Sequence, residues 1–276
     1  MTCNVDRPIL QAFLRDARLP RLEARMLLEH VLQKPRAWML AHETDPIEPW
    51  QAQQYQVLAT RRLAGEPMAY LLGHREFMGH DFAVTPDVLI PRPETELLVE
   101  TALAWLAGHP EAAVLDLGTG SGVIAVSIAL GAPQAAVTAT DASAAALQVA
   151  VRNAARLGAR ADFAQGSWYD ALPSRARYDL IVSNPPYIAN DDQHLGRGDL
   201  RFEPRSALTD GADGLRSLAA IIAGAAGRLR PGGALWLEHG WDQAAAVRQL
   251  LAGAGFDHVT SQRDLSGIER ISGGSL

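Results

Sequence analysis

At 276 residues, 48% hydrophobic and 20% charged, the chain is long enough for two domains with real cores. A formal net charge of −6 argues against nucleic acid as the main partner, and no stretch approaches the roughly 18 apolar residues of a membrane span. One cysteine, Cys3, allows no internal disulfide, and the charges within MTCNVDRPILQAFLRDAR are not those expected of a signal peptide, so a cytoplasmic location is expected.

Residues 1–73 read as a small helical domain. In RLEARMLLEHVL, Leu22, Met26, Leu28 and Val31 recur near helical spacing. EPWQAQQYQVLATRRLAG offers a polar face and closes on Gly65. The character then changes. REFMGHDFAVTPDVLIPRP, with Phe77, Phe82, Val84, Val88 and Ile90 around Gly79 and Pro86, predicts a β-hairpin linker over 74–92. PETELLVETALAWLAG predicts an amphipathic helix after Pro93, with Glu94 and Glu96 in its favourable first turn.

From residue 112 a regular alternation begins. The runs AAVLDLG, AAVTATD, DFAQG, YDLIVSN and GALWLEHG are separated by helical stretches rich in Ala and Leu. Strands alternating with helices predict an α/β fold with a parallel, doubly wound sheet. The tail FDHVTSQRDLSGIERISGG lacks a helix between its strand-like pieces and predicts an antiparallel hairpin at the sheet edge. Residues 188–212, IANDDQHLGRGDLRFEPRSALTDGA, are long and polar and read as a mobile flap over the substrate. The role of Glu203 and Arg205 within it stays open. The Pro91-Arg92-Pro93-Glu94 turn fits either the lining of a substrate pocket or a plain domain junction.

VLDLGTGSGVIAVSIAL is strand, glycine loop and helix. Gly118, Gly120 and Gly122 permit a tight turn and close backbone approach to a ligand, and the helix start offers free N–H groups. Asp141 ends the next strand, where a carboxylate suits a ribose diol. The pattern also satisfies the dinucleotide form G-x-G-x-x-A through Ala125. Asp116 separates the two readings, because its charge would repel a pyrophosphate and attract an ammonium group. S-adenosylmethionine therefore fits better than NAD.

YDLIVSNPPY ends a strand on Asn184, Pro185, Pro186 and Tyr187. Proline cannot donate to a sheet ladder, and it holds the residue before it extended. A carboxamide fixed beside an aromatic ring suits something planar and polar. With the glycine loop and Asp141, the Asn-Pro-Pro-Tyr run resembles class I S-adenosylmethionine-dependent methyltransferases acting on planar nitrogens. YLLGHREFMG (70–79), VLIPRPETELLVE (88–100), EPRSAL (203–208), DGADGL (210–215) and LRPGGALWLEHG (229–240) carry the resemblance to the release-factor N5-glutamine methyltransferase family.

The resemblance implies a Rossmann-like, mostly parallel seven-stranded sheet over 93–276, joined by the hairpin to a substrate-docking domain over 1–73. It implies methyl transfer to the glutamine of the Gly-Gly-Gln motif of class 1 peptide chain release factors, leaving S-adenosylhomocysteine, with no metal. Gly118, Thr119, Gly120, Ser121, Gly122, Asp141, Trp168 and Asn184 would bind the cofactor, with Trp168 against the adenine. Asn184, Pro185, Pro186 and Tyr187 would bind the glutamine.

The chemistry fits those residues. An amide nitrogen is a poor nucleophile because its lone pair is delocalised into the carbonyl. Acceptors on both N–H bonds, the Asn184 side-chain oxygen and the Pro185 carbonyl, would aim that lone pair at the methyl group and stabilise developing positive charge. Tyr187 would pack on the flat amide. A ribosomal-protein glutamine methyltransferase would share nearly all of these motifs. A DNA adenine N6 methyltransferase would need to flip a base and neutralise phosphates, which the net charge and the lack of a basic segment oppose. A nicotinamide dehydrogenase is opposed by Asp116 and by Asn184-Pro185-Pro186-Tyr187, and a non-catalytic sensor by the intact latter run. The eight histidines show no metal spacing.

Overall fold

A computed structural model describes residues 8–276. Cys3, with the rest of residues 1–7 of the segment on which the signal-peptide reading rests, lies outside the described residues. The chain divides into two compact units at Gly73 and His74.

The first unit is helical: α1 (Leu10–Leu14), α2 (Arg21–Leu32), α3 (Arg36–Ala41), α4 (Pro49–Leu63) and α5 (Met68–Leu72). α4 begins with Pro49 at a position whose N–H has no helical partner, and a capping box joins Glu48 and Gln51. Its core gathers Leu10, Phe13, Leu27, Leu28 and Tyr55. The buried stripe of α2 is Ala24, Leu27, Leu28 and Val31. It is thus rotated from the predicted face, and Leu22 is 56% exposed. In an apolar-rich helix several stripes satisfy the same spacing, and packing selects one.

The second unit opens on an antiparallel hairpin, β1 (His74–Phe77) and β2 (His80–Ala83). The ladder is shorter than the sequence pattern suggested, and residues 84–92 form no strand. Two of those nine residues, Pro86 and Pro91, are prolines, and Arg92 precedes a third, which breaks pairing. A 3-10 turn at Pro93–Thr95 leads into α6 (Glu96–Leu106).

The alternating elements follow: β3 (Ala113–Leu117), α7 (Val123–Gly131), β4 (Ala136–Asp141), α8 (Ala144–Leu157), β5 (Ala161–Gln165) and β6 (Tyr178–Ser183). After them come α9 (Arg205–Leu208), α10 (Arg216–Ala225), β7 (Leu229–Glu238), α11 (Ala244–Gly253), β8 (Asp257–Arg263) and β9 (Glu269–Ser275). The seven-stranded sheet runs β5-β4-β3-β6-β7-β9-β8. β3 to β7 pair in parallel, whereas β9 pairs antiparallel with both β7 and β8. The predicted tail hairpin therefore forms, with its second strand inserted next to β7.

Both sheet faces are covered, as a parallel sheet requires. Val114, Leu180 and Val182 join the cluster packed under α6 and α7, while Leu115, Ile181 and Leu235 join the one under α10 and α11. The strand order reverses between β3 and β6, and this switch point opens a crevice at their carboxyl ends. Residues 188–212 are not a featureless loop. They hold two 3-10 turns and α9, and Ile188 bridges Thr209. Among the described residues no helix is long and apolar enough to cross a membrane.

Candidate active site

The glycine loop leaves β3 at the switch point and is held from below. Asp116 is fully buried; its Oδ2 accepts from Thr119 Oγ1 at 2.6 Å and from Ala125 N at 3.2 Å. Burial pushes its carboxyl up to about 7, against those two hydrogen bonds, with Asp141 adding a smaller upward push. Its Oδ1 has no partner. Asp116 does not line the cavity; its hydrogen bonds to Thr119 and Ala125 anchor the loop from beneath.

The loop itself is shaped by backbone freedom. Gly118 has φ +71°, and a Cβ there would come within 3.3 Å of the Trp168 ring. Gly122 has φ +86°, and its Cβ would meet Ala150 Cβ at 3.0 Å; it lets α7 start against α8. Gly118 N and Thr119 N both donate to Thr140 O at 2.9 Å, which binds the loop to β4. Asp141, at the end of β4, accepts from Gly120 N at 2.9 Å and from Ser143 N at 2.8 Å. Asn153 belongs to none of the sequence motifs. Buried on α8, it accepts from Ala83 N at 2.8 Å and donates to Ser121 O at 2.8 Å, tying β2 to the loop. Its only signal was a lone amide on the apolar face of AVRNAARL.

One cavity stands over this loop. Gly118, Thr119, Gly120, Ser121, Asp141, Trp168, Asn184 and Pro186 line it, together with Arg92 and Thr95. Trp168 sits at φ +46°, a conformation a bulky residue adopts only when its surroundings impose it, and its carbonyl accepts from Thr140 Oγ1 at 3.1 Å. Of the predicted site residues, Gly122, Pro185 and Tyr187 stand outside the lining.

The Asn184 amide is oriented. Nδ2 donates to Thr95 Oγ1 at 3.1 Å, and among the described residues nothing donates to Asn184 Oδ1 or to the Pro185 carbonyl. Tyr187 lies behind this segment: its hydroxyl donates to Glu238 Oε1 at 3.1 Å and its carbonyl accepts from Gln243 Nε2 at 3.0 Å. The partly buried Tyr187 packs against the cluster under α10 and α11, so it also buttresses the segment.

Two residues of open role gain definite places. Glu203, whose side chain is wholly buried, pairs with Arg92 and accepts from Ile90 N at 3.0 Å. It thereby pins the Pro91-Arg92 turn to the 188–212 segment on the rim of the cavity. Arg205 donates to Asn190 Oδ1 at 2.8 Å within that segment. His239 is buried, with Nδ1 2.8 Å from Gly240 O and Nε2 2.8 Å from Ser272 Oγ. Among the described residues no group of His, Cys, Asp and Glu is placed to hold a metal ion.

The chain is similar to known proteins. Residues 10–73 match the family model of the PrmC N-terminal domain, and residues 93–198 match that of the methyltransferase small domain. The chain is 69% identical to a release factor glutamine methyltransferase of Bordetella pertussis, over 97% of this chain and 99% of that protein. It is 55% identical to one of Burkholderia pseudomallei, over 95% and 94% respectively. A 16S rRNA N2 G1207 methyltransferase of T. thermophilus, solved with AdoMet and guanosine, shares the fold. It shows a TM-score of 0.55 and 22% identity, over 73% of this chain and 49% of that one.

Proposed function

The chain belongs to the release factor glutamine methyltransferase family, and from that premise we propose how its own residues carry the reaction. It is a protein-glutamine methyltransferase that methylates the side-chain amide nitrogen of the glutamine in the Gly-Gly-Gln motif of class 1 release factors. The observation that carries the reading is the meeting of the glycine loop, Asp141, Trp168 and an oriented Asn184 in one cavity.

The cavity suits S-adenosylmethionine by the chemistry of its lining. At Gly120 a Cβ would meet nothing within 4 Å, so the loop backbone borders open space. Asp141 offers a carboxylate for a ribose diol, and the Trp168 indole with Ile124 and Ala146 offers apolar walls for a planar base. Gly118 to Gly122, Asp141, Trp168 and Asn184 would hold the cofactor, which when bound supplies an electrophilic methyl group on a sulfonium centre.

Asn184 Oδ1 and the Pro185 carbonyl accept the two N–H bonds of the acceptor amide. Neither removes a proton beforehand, so orientation and electrostatics do the work, and the methylated nitrogen gives its surplus proton to water after the transfer. Holding both N–H bonds turns the nitrogen lone pair into the cavity, and positioning of this kind supplies roughly 7–11 kcal/mol of a barrier. The same two oxygens stabilise positive charge as it develops on nitrogen. Pro186 forms the wall beside them and Tyr187 supports the segment from behind. The helical unit docks the release factor, giving a glutamine held in a cleft the outside contacts that specificity needs. The enzyme acts in the cytoplasm, on a protein and not directly on nucleic acid.

The test is methyl transfer from labelled S-adenosylmethionine to a release factor and to the same factor carrying Gln→Ala in its Gly-Gly-Gln motif. Label on the first and none on the second is expected. Equal label on both would remove the glutamine as the target.

A further inference from the structure

Asn184 works as an acceptor only in one of its two amide orientations. Turned by 180°, it would present an NH2 group to the NH2 of the substrate. Thr95 holds the orientation seen here, by accepting from Asn184 Nδ2 at 3.1 Å. A threonine hydroxyl both donates and accepts, so Thr95 enforces this choice only if its own proton is directed elsewhere. Beside it stands the carboxylate of Glu238, 2% exposed at the end of β7. The Thr95 hydroxyl stabilises that carboxylate, while Tyr187 Oη donates to its Oε1 at 3.1 Å. Oε2 is buried and has no well-formed hydrogen bond, which leaves it open to the Thr95 proton.

We propose that Glu238 is a positioning residue for methyl transfer: as an acceptor-only carboxylate it takes the Thr95 proton and so turns Thr95 into an acceptor for Asn184 Nδ2, leaving Asn184 Oδ1 for the substrate amide. The same carboxylate, through Tyr187, holds the far end of the Asn-Pro-Pro-Tyr segment. The proposal rests on the reading of Asn184 Oδ1 as a substrate acceptor.

Glu238 also sets when this arrangement holds. Burial pushes its carboxyl up to about 7; Glu94 pushes the same way, while Thr95, Tyr187 and Arg270 oppose it. His239 follows it in sequence but is engaged with Gly240 and Ser272. The Tyr187 hydroxyl is raised by its burial and by Glu238. When Glu238 gains a proton it becomes a donor toward Thr95, Thr95 is free to donate to Asn184, and the amide loses the constraint on its orientation. Turnover then falls as pH drops through about 7.

The experiment compares wild type, Glu238→Gln, Thr95→Val, Thr95→Ser and Asn184→Ala in methyl transfer to a full-length release factor across pH. Cofactor affinity is followed by calorimetry. Glu238→Gln keeps the shape but offers an NH2 donor, and kcat is expected to fall about 10- to 100-fold, the scale of a small misplacement. The KM values and cofactor affinity should change by no more than about twofold, since ground-state binding is retained. The acid limb of kcat near pH 7 should be present in wild type and absent in Glu238→Gln. Thr95→Val should lose turnover similarly, and Thr95→Ser should keep it.

Wild-type kcat in Glu238→Gln with Asn184→Ala inactive would overturn the positioning role and leave the reading of the site standing. Full activity in Asn184→Ala as well would overturn the reading itself. Should Glu238→Gln not fold, the Thr95 pair and the wild-type pH profile decide: activity in Thr95→Val, or no acid limb, overturns the proposal.

Discussion

Asp141 Oδ2 accepts the Gly120 amide proton at 2.9 Å while its Oδ1 accepts that of Ser143 at 2.8 Å. The carboxylate that ends β4 is therefore built into the loop that follows β3, and one substitution disturbs both. Asp141→Ala removes two hydrogen bonds to an ionised acceptor together with the proposed diol contact. S-adenosylmethionine affinity is expected to fall about 10- to 100-fold, one such bond being worth roughly 1.5–3 kcal/mol. Asp141→Asn, with one acceptor oxygen left, should fall between. Calorimetric titration checks this, and unchanged affinity in Asp141→Ala would remove Asp141 from the cofactor site.

Gly122 occupies a backbone conformation and a space that both exclude a side chain. Gly122→Ala places a Cβ 3.0 Å from Ala150 Cβ at φ +86°, and a loss of about 1–3 kcal/mol in unfolding free energy is expected. The double variant Gly122→Ala with Ala150→Gly relieves the contact but keeps the strained φ. It should recover only part of the loss attributable to Gly122→Ala, once the separate cost of Ala150→Gly is subtracted. Urea unfolding of the three variants measures both parts; a neutral Gly122→Ala would contradict the packing described.

Glu203→Ala leaves the Ile90 amide without its acceptor and Arg92 without its buried partner. Arg92 is 30% exposed on its side chain, so solvent partly compensates, and the expected cost is about 1–3 kcal/mol rather than that of a fully buried broken pair. The denaturant midpoint should fall with little change in slope. A midpoint equal to that of wild type would show that the pair contributes nothing to the fold.

Asp116 gives stability a pH dependence of known sign. Its folded pKa is raised by burial from 3.8 to about 7. The folded state therefore holds its proton more tightly than the unfolded chain does. This contribution to stability is fully present below 3.8 and is lost as pH rises toward about 7. Asp116→Asn keeps an oxygen for Thr119 and Ala125 and carries no charge. The difference between wild type and Asp116→Asn should grow against wild type over that window, by at most about 1.4 kcal/mol per pH unit for a single proton. Chemical denaturation of both at several pH values tests it, and parallel curves would refute the raised pKa.

The element order of the second unit is legible from the residues alone, because its signals are local. Glycines allow the turn after β3, prolines stop β6 at Asn184, and apolar runs of strand length alternate with helical ones. The sequence also marks the loops that border the cavity, since a glycine loop, a strand-end Asp141 and the Asn-Pro-Pro-Tyr run each announce themselves in a few consecutive residues. Less local features were misread or unread. The buried stripe of α2 excludes Leu22, and the β1–β2 ladder ends at Ala83.

Which polar groups meet is a matter of long-range packing. Glu203 reaches Ile90 across 113 positions, Asn184 reaches Thr95 across 89 and Tyr187 reaches Glu238 across 51. Nothing in the neighbouring residues of any of these signals its partner, because each is brought to the crevice by a different strand or turn. Hydrogen-bond direction acts at the scale of ångströms: the sequence supplies an amide at the end of β6, and the packing of Thr95 beside it settles which of its two ends is engaged.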